Sequence, residues 1–182
     1  MSVQIVEYNQ SQVLDILEQL TAIYTSAFSL PPYNENPQVL GQFSHSLKTH
    51  LNRKGFLCLV IQCIQTGRPV GFAYGYTARP GQWWYNSVTK QLTPEQVHIW
   101  FSDCFEVVDL ALLPEVHGQG LGSRLHDELI QRLPHRTAAL STISAQTTAL
   151  HLYQRRDWQI LDKAIQFSGI KRSYMLLGKE LR

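Results

Sequence analysis

The chain has no run of basic residues, no long apolar stretch and few cysteines, and each shortage closes off a class of function. Lys and Arg number 16 against 14 acidic residues, a net charge of +2, with no Lys/Arg block. That balance argues against nucleic acid as a partner, and Arg155-Arg156 reads as a solvated helix end. The longest apolar run beside a strand, Phe56–Ile61, is far too short to span a membrane. The opening residues, Met1-Ser-Val-Gln-Ile-Val-Glu, have neither the charged region nor the apolar core of a secretory signal, so a cytoplasmic location is expected. Cys58, Cys63 and Cys104 match no zinc spacing and sit among apolar residues, the pattern of buried free thiols in a reducing compartment. His45, His50, His98, His126, His135 and His151 show no ligand spacing tied to a carboxylate, so no metal is expected and solvated or packed rings are. With no internal repeat, low-complexity tract or linker, residues 1–182 are expected to form a single domain.

What is present is a soluble, core-forming sequence, 44% hydrophobic and 16% charged. Val3–Glu7 alternates like a strand, and Ser11 precedes a helical pattern through Leu14, Leu17, Leu20, Ile23, Tyr24 and Phe28. Pro31-Pro-Tyr-Asn-Glu-Asn-Pro37 is a turn-rich loop, long enough to rim a pocket. A second helix is predicted over Gln38–Leu51, then a hairpin of Phe56–Ile64 and Val70–Thr77, the latter weakened by Gly71 and Gly75. Residues 79–103 are less regular, with Trp83, Trp84, Tyr85 and Trp100 and a helix near Thr93–Trp100 begun by Thr93-Pro94. An apolar strand over Phe105–Leu113 leads into a helix over Leu121–Leu133, whose leucines recur every four residues and in which Glu128 is placed to pair with Arg132. Strand Ala138–Ile143, helix Thr147–Arg156 and strands Trp158–Asp162 and Ser173–Leu177 complete the chain.

Between that apolar strand and its helix, residues 112–125 read Leu-Leu-Pro-Glu-Val-His-Gly-Gln-Gly-Leu-Gly-Ser-Arg-Leu. Gly118, Gly120 and Gly122 strip side chains from a helix start, where backbone N–H groups and roughly half a positive charge favour an anion. This is the chemistry of a pyrophosphate cradle. A triphosphate P-loop needs G-x-x-x-x-G-K-[ST], and no Gly-Lys-Ser/Thr occurs in the chain. A dinucleotide loop needs G-x-G-x-x-G/A, but from Gly118 the last place is Ser123.

The run resembles motif A of the GNAT superfamily, the Gcn5-related N-acetyltransferases, written V-x-P-x-x-[QR]-G-x-G-[IVL]-[GA]. Leu112, Pro114, His117, Gly118, Gly120, Leu121 and Gly122 stand at its places, with His117 in place of Arg or Gln. Residues 146–158 resemble motif B, N-x-x-A-x-x-L-Y-x-x-x-G-[FW]: Ala149, Leu152, Tyr153 and Trp158 are in place, while Gln146 replaces the Asn and Asp157 the Gly.

The resemblance implies an α/β (α+β) fold, a mixed, mostly antiparallel central sheet with helices on both faces, and matches the order βααβββαβαββ. It implies acetyl-CoA as co-substrate, held by Leu110, Leu112, Leu113, His117, Gly118, Gln119, Gly120, Leu121, Gly122, Ser123 and Gln146. The pantetheine arm would follow the Leu110–Leu112 backbone, one N–H of which would stabilise an oxyanion. It also implies transfer of the acetyl group to a primary amine of a small molecule or peptide. An alkylammonium near pKa 10.4 must first lose a proton. Glu106 and Asp109 stand where the family carries acidic residues, and Glu106 ranks slightly ahead; either could instead anchor a loop. Tyr153 would protonate the leaving thiolate or, alternatively, pack as a core aromatic. Tyr33, Glu35, Trp83 and Trp84 are the acceptor-site candidates. Adjacent tryptophans fill a core or a dimer contact as readily, which leaves a homodimer open. The replacements in both motifs keep a second reading open, a non-catalytic acyl-CoA sensor.

Overall fold

The computed structural model describes residues 2–182. Seven strands hydrogen-bond in the order β1-β2-β3-β4-β5-β7-β6: β1 (Val3–Tyr8), β2 (Leu57–Cys63), β3 (Pro69–Thr77), β4 (Cys104–Leu112), β5 (Thr137–Ile143), β6 (Gln159–Ile165) and β7 (Tyr174–Glu180). The β1–β2, β2–β3, β5–β7 and β6–β7 pairs are antiparallel, whereas β4 and β5 are parallel. This is the mixed, mostly antiparallel sheet expected, flanked by helices. The flanking helices are α1 (Gln10–Asp15), α2 (Leu17–Phe28), α3 (Pro37–His50), α4 (Trp83–Thr89), α5 (Pro94–Phe101), α6 (Leu121–Gln131) and α7 (Thr148–Gln154).

Two differences from the sequence reading have physical causes. The pattern from Leu14 to Phe28 looks like one helix but breaks at Ile16, whose backbone sits at φ −112°, ψ 17°. The amphipathic period runs through the break, so it leaves no trace in the pattern. The short helix α4 lies where the sequence was irregular: Trp83, Trp84 and Tyr85 are poor helix formers, and burial of Trp84 and Val88 overrides that preference.

The chain forms two compact units. The first holds the residues up to Tyr76 together with Val108–Arg132; the second holds Thr77–Val107 and Leu133–Arg182. In the first unit, Val13, Leu20, Leu47, Leu59, Phe72 and Leu125 are among the fully buried side chains. Gly71 there is a close-approach residue: a Cβ would meet Leu112 Cγ at 2.9 Å and the Ala111 carbonyl at 3.0 Å, so the glycine that weakens β3 is what lets β4 pack beside it. The second unit packs Trp84, Val88, Trp100, Phe101, Cys104, Ile165, Phe167 and Leu176 into its own cluster. The Glu128–Arg132 pair forms at 3.1 Å, and Arg132 also reaches Glu7 at 3.1 Å. Both pairs are exposed, so each contributes little stability.

Candidate active site

In the first unit, β4 delivers the chain to a single 3-10 turn (Pro114–Val116) and then to the glycine run. Gly118 and Gly120 have φ of +74° and +73°, a backbone conformation that glycine reaches without strain, and a Cβ at either would meet nothing within 4 Å. Gly120 is the N-cap of α6 and provides no side-chain hydrogen bond. The first-turn N–H groups of Leu121, Gly122 and Ser123 therefore have neither an intrahelical acceptor nor a capping side chain. Open backbone, orphan donors and the positive end of the macrodipole coincide here, which fits an anion the size of a pyrophosphate.

The flanking contacts are specific. The Leu113 N–H donates to the Val70 carbonyl at 2.9 Å, tying the end of β4 to β3. His117 turns its ring back on β4, its Nε2 lying 3.2 Å from the Leu112 carbonyl. A carbonyl only accepts, so the Nε2–H is spent on Leu112 rather than aimed at a phosphate. Gln119 sends its amide to the Glu115 carbonyl at 3.5 Å, and Arg68 pairs with Glu115 at 3.1 Å on the surface. Leu110 is partly buried, whereas Leu112 and Leu113 are buried. Among the described residues, β4 pairs with β5 only over Cys104–Glu106.

Asp109 is on the same strand and in the same unit as the cradle. Burial pushes its carboxyl up to about 7, and a hydrogen bond from the Tyr74 side chain pulls partly against that. Tyr74, on β3, is itself buried, and its hydroxyl lies 3.1 Å from Nδ1 of His50 at the end of α3. Burial, and then the neighbouring Arg53 guanidinium, lower His50 to about 4. Arg53 stacks its guanidinium 4.4 Å over the Tyr76 ring. Neither His50 nor Tyr74 stood out in the sequence; the one available signal was the alternation Phe72, Tyr74, Tyr76 along one face of β3.

Tyr33 and Glu35 are also in the first unit. Tyr33 packs edge-on against Phe28 at 5.0 Å, and the Glu35 carboxylate accepts the Asn36 N–H at 3.1 Å just before α3.

The other predicted residues fall in the second unit. Glu106 is buried, opposite Ala139 in the β4–β5 register. Tyr153 is a buried residue of α7, its ring 5.4 Å from that of Trp158. Gln146 is exposed, its side-chain oxygen 3.1 Å from His151 Nε2. Asp157 has φ +58°, so the motif glycine it replaces would have stood at a left-handed position that Asp tolerates better than most residues. Of the two adjacent tryptophans, Trp84 belongs to the core and donates its indole N–H to Ser141 at 2.8 Å. Trp83 is 56% exposed and stacks on Phe167 at 5.1 Å. The three cysteines are free thiols, and among the described residues no cluster of His, Cys, Asp and Glu could hold a metal. No helix there is long and apolar enough to cross a membrane.

Comparison with known proteins gives a consistent picture. The pattern of the Acetyltransferase (GNAT) family matches residues 16–158. A GCN5-like protein acetyltransferase of Mycobacterium tuberculosis is 30% identical over 120 residues, 62% of this chain and 58% of that protein, so the match spans little more than half of the relative's length. Among solved structures, the PaiA N-acetyltransferase of Thermoplasma acidophilum, in complex with coenzyme A, superposes with a TM-score of 0.67 at 13% identity, over 99% of both chains. The ribosomal-protein-S18-alanine N-acetyltransferase of Escherichia coli gives 0.66 at 13% identity, over 99% of this chain and 94% of the other. At such identities the structural likeness speaks to the fold alone.

Proposed function

Because the chain belongs to the GNAT family of acetyltransferases, we propose that it binds acetyl-CoA at the glycine run and transfers the acetyl group to a primary amine of a small molecule or peptide by direct attack. The observation that carries this reading is the bare start of α6, with Gly118 and Gly120 in left-handed conformations and open space beside both. The N–H groups from Gly118 to Ser123 would hold the pyrophosphate, and the backbone of Leu110–Leu112 the arm behind it. When bound, acetyl-CoA supplies an activated thioester carbon for the amine to attack. His117 is assigned to bracing the turn through Leu112 rather than to the phosphate.

Asp109 is the better assigned base of the two carboxylates. It lies on the strand that leads into the cradle, and a group near pKa 7 is half ionised at neutral pH while still able to take a proton from the incoming ammonium. Glu106, buried opposite Ala139, becomes a structural carboxylate under this assignment. Tyr153 is assigned the return of a proton to the departing thiolate, since a phenol near pKa 10 is a competent donor. Tyr33 and Glu35 remain the acceptor-side residues of the first unit and Trp83 that of the second. Trp84 is withdrawn to the core.

Acetyl-CoA at 100 times its Kd should stabilise the protein by about 2.7 kcal/mol, read as a rise in melting temperature. No rise at millimolar acetyl-CoA would remove the donor from the reading. Thiol release with a panel of amines then separates an enzyme from a sensor: turnover on any amine supports transfer, and binding without turnover supports the sensor. Full kcat across the pH range in Tyr153→Phe would remove Tyr153 from catalysis.

A further inference from the structure

We infer that Tyr74 and His50 are positioning residues for Asp109, a half-buried hydrogen-bonded chain from α3 through β3 to β4 that fixes the carboxylate and sets how readily it takes a proton. The inference rests on the proposed function for its catalytic meaning, because it concerns the assigned base. Its geometry is independent of that reading.

The direction of each bond follows from what the groups can do. An ionised carboxylate only accepts, so the Tyr74 hydroxyl donates to Asp109. That hydroxyl has one proton, so the His50 Nδ1 at 3.1 Å must donate to its oxygen, which puts the imidazole proton on Nδ1. The arrangement needs a proton on Nδ1, and its reversal needs His50 neutral, because an imidazolium has no nitrogen left to accept. The surroundings of His50 keep it neutral: the ring lies 5.9 Å from that of Tyr74 and 5.0 Å from that of Tyr76, and Arg53 adds a positive charge that opposes a second proton. Once Asp109 is protonated, the same chain runs in reverse. The acid donates to Tyr74, Tyr74 to Nδ1, and the imidazole proton moves to Nε2 by exchange with water. Both charge states of Asp109 are thus hydrogen-bonded, which a single fixed donor could not provide.

Tyr74 and Tyr76 face this chain from β3, His50 from α3, and Arg53 from the turn that follows α3. Cys58 stands opposite Tyr74 in the β2–β3 register, and burial pushes its thiol up to about 12, so it is uncharged over the working range. The Phe72 and Phe56 rings stack or tilt against Tyr74 at 6.3 and 6.0 Å and exclude water without adding charge. The Tyr74 hydroxyl thus acts on the proton affinity of Asp109 against the effect of burial, and His50 helps to aim it.

The test is a carbon-detected NMR titration of the Asp109 carboxyl in the ligand-free protein, comparing wild type with Tyr74→Phe and His50→Leu. Tyr74→Phe keeps the ring and removes only the hydroxyl. It should raise the Asp109 midpoint by about one to two pH units, the size of a lost hydrogen bond to a charged group. His50→Leu keeps the Tyr74 donor but frees its direction, so a smaller rise in the same sense is expected. An unchanged midpoint in folded Tyr74→Phe overturns the inference. The readout needs no acetyl-CoA, so it stands or falls separately from the donor reading. With an active acceptor in hand, the acid limb of kcat against pH should move up in Tyr74→Phe while KM for acetyl-CoA stays within about twofold. A loss of kcat that is uniform across pH, with the limb unmoved, would also overturn the inference.

Discussion

Helices α6 and α7 each follow a strand, β4 and β5, and each begins with a short polar loop, yet their first turns are finished in opposite ways. At α7 the chain satisfies itself: Thr147 is the N-cap, and its hydroxyl accepts the Leu150 N–H at 3.0 Å. At α6 the N-cap is Gly120, with no side chain to offer and a left-handed backbone that turns the loop. A glycine N-cap is less stable than a Ser, Thr, Asn or Asp cap by about a few tenths of a kcal/mol. Asn9, Asn36 and Thr93 supply that cap at α1, α3 and α5. On the proposed reading, what α6 forgoes in stability it gains as a place for an external anion, and its donors are functional where those of α7 are structural.

The largest expected effect breaks the bare start itself. Gly120→Asp adds a side chain at a positive φ and brings a negative charge, and with it a competing acceptor, to the orphan N–H groups. The Kd for acetyl-CoA should rise by about two orders of magnitude or more by calorimetry, while circular dichroism shows the fold retained.

Asp109→Asn should lower kcat about 10²- to 10⁴-fold without weakening acetyl-CoA binding. It also has a signature in stability. The folded protein holds the Asp109 proton up to about 7 whereas the unfolded chain releases it near the ordinary 3.8, so between those values the folded state binds more protons. The contribution is fully present below pH 3.8 and is lost as pH rises through 7. Denaturant titrations across that window should show a flatter pH dependence in Asp109→Asn than in wild type. His50 acts in the opposite sense. Its folded value of about 4 lies below the ordinary 6.5, so the stability it contributes is present above 6.5 and is lost as pH falls through 4.

Thr147→Ala sharpens the comparison from the other side. Losing the α7 cap should cost about 1 kcal/mol in denaturant unfolding and leave the Kd for acetyl-CoA within a factor of two. Were this substitution to weaken acetyl-CoA binding as much as Gly120→Asp, the division between a functional and a structural helix start would collapse. The smallest effect is expected at Asp157→Gly. Relieving a left-handed non-glycine residue at φ +58° should stabilise the fold by a few tenths to about 1 kcal/mol, with kcat unchanged.

Much of this was written locally in the sequence. The step from the apolar segment to the glycine run to the leucines of α6 is contiguous, so strand, cradle and helix were readable together. Trp84 was not, because its place in the core depends on Phe101, Ile165 and Leu176 from three other elements. The left-handed need behind Asp157 was visible only as a departure from a pattern. Least legible was the chain from His50 through Tyr74 to Asp109, which draws one residue from each of α3, β3 and β4. No spacing along the sequence encodes it, and only packing brings a histidine and a tyrosine 24 residues apart into hydrogen-bond contact. Even where the glycine run was legible, the role of His117 was not, since its bond to Leu112 depends on how the turn folds back.

The most direct test of the account is a titration of the ¹⁵N-labelled protein with acetyl-CoA, followed at the backbone amides. The expected result is saturable change concentrated at Gly118, Gln119, Gly120, Leu121, Gly122 and Ser123, with the Leu150 amide, already held by Thr147, left in place. Saturation with no change across Gly118–Ser123, or change confined to other segments, would contradict the assignment of α6 as the donor's anchor.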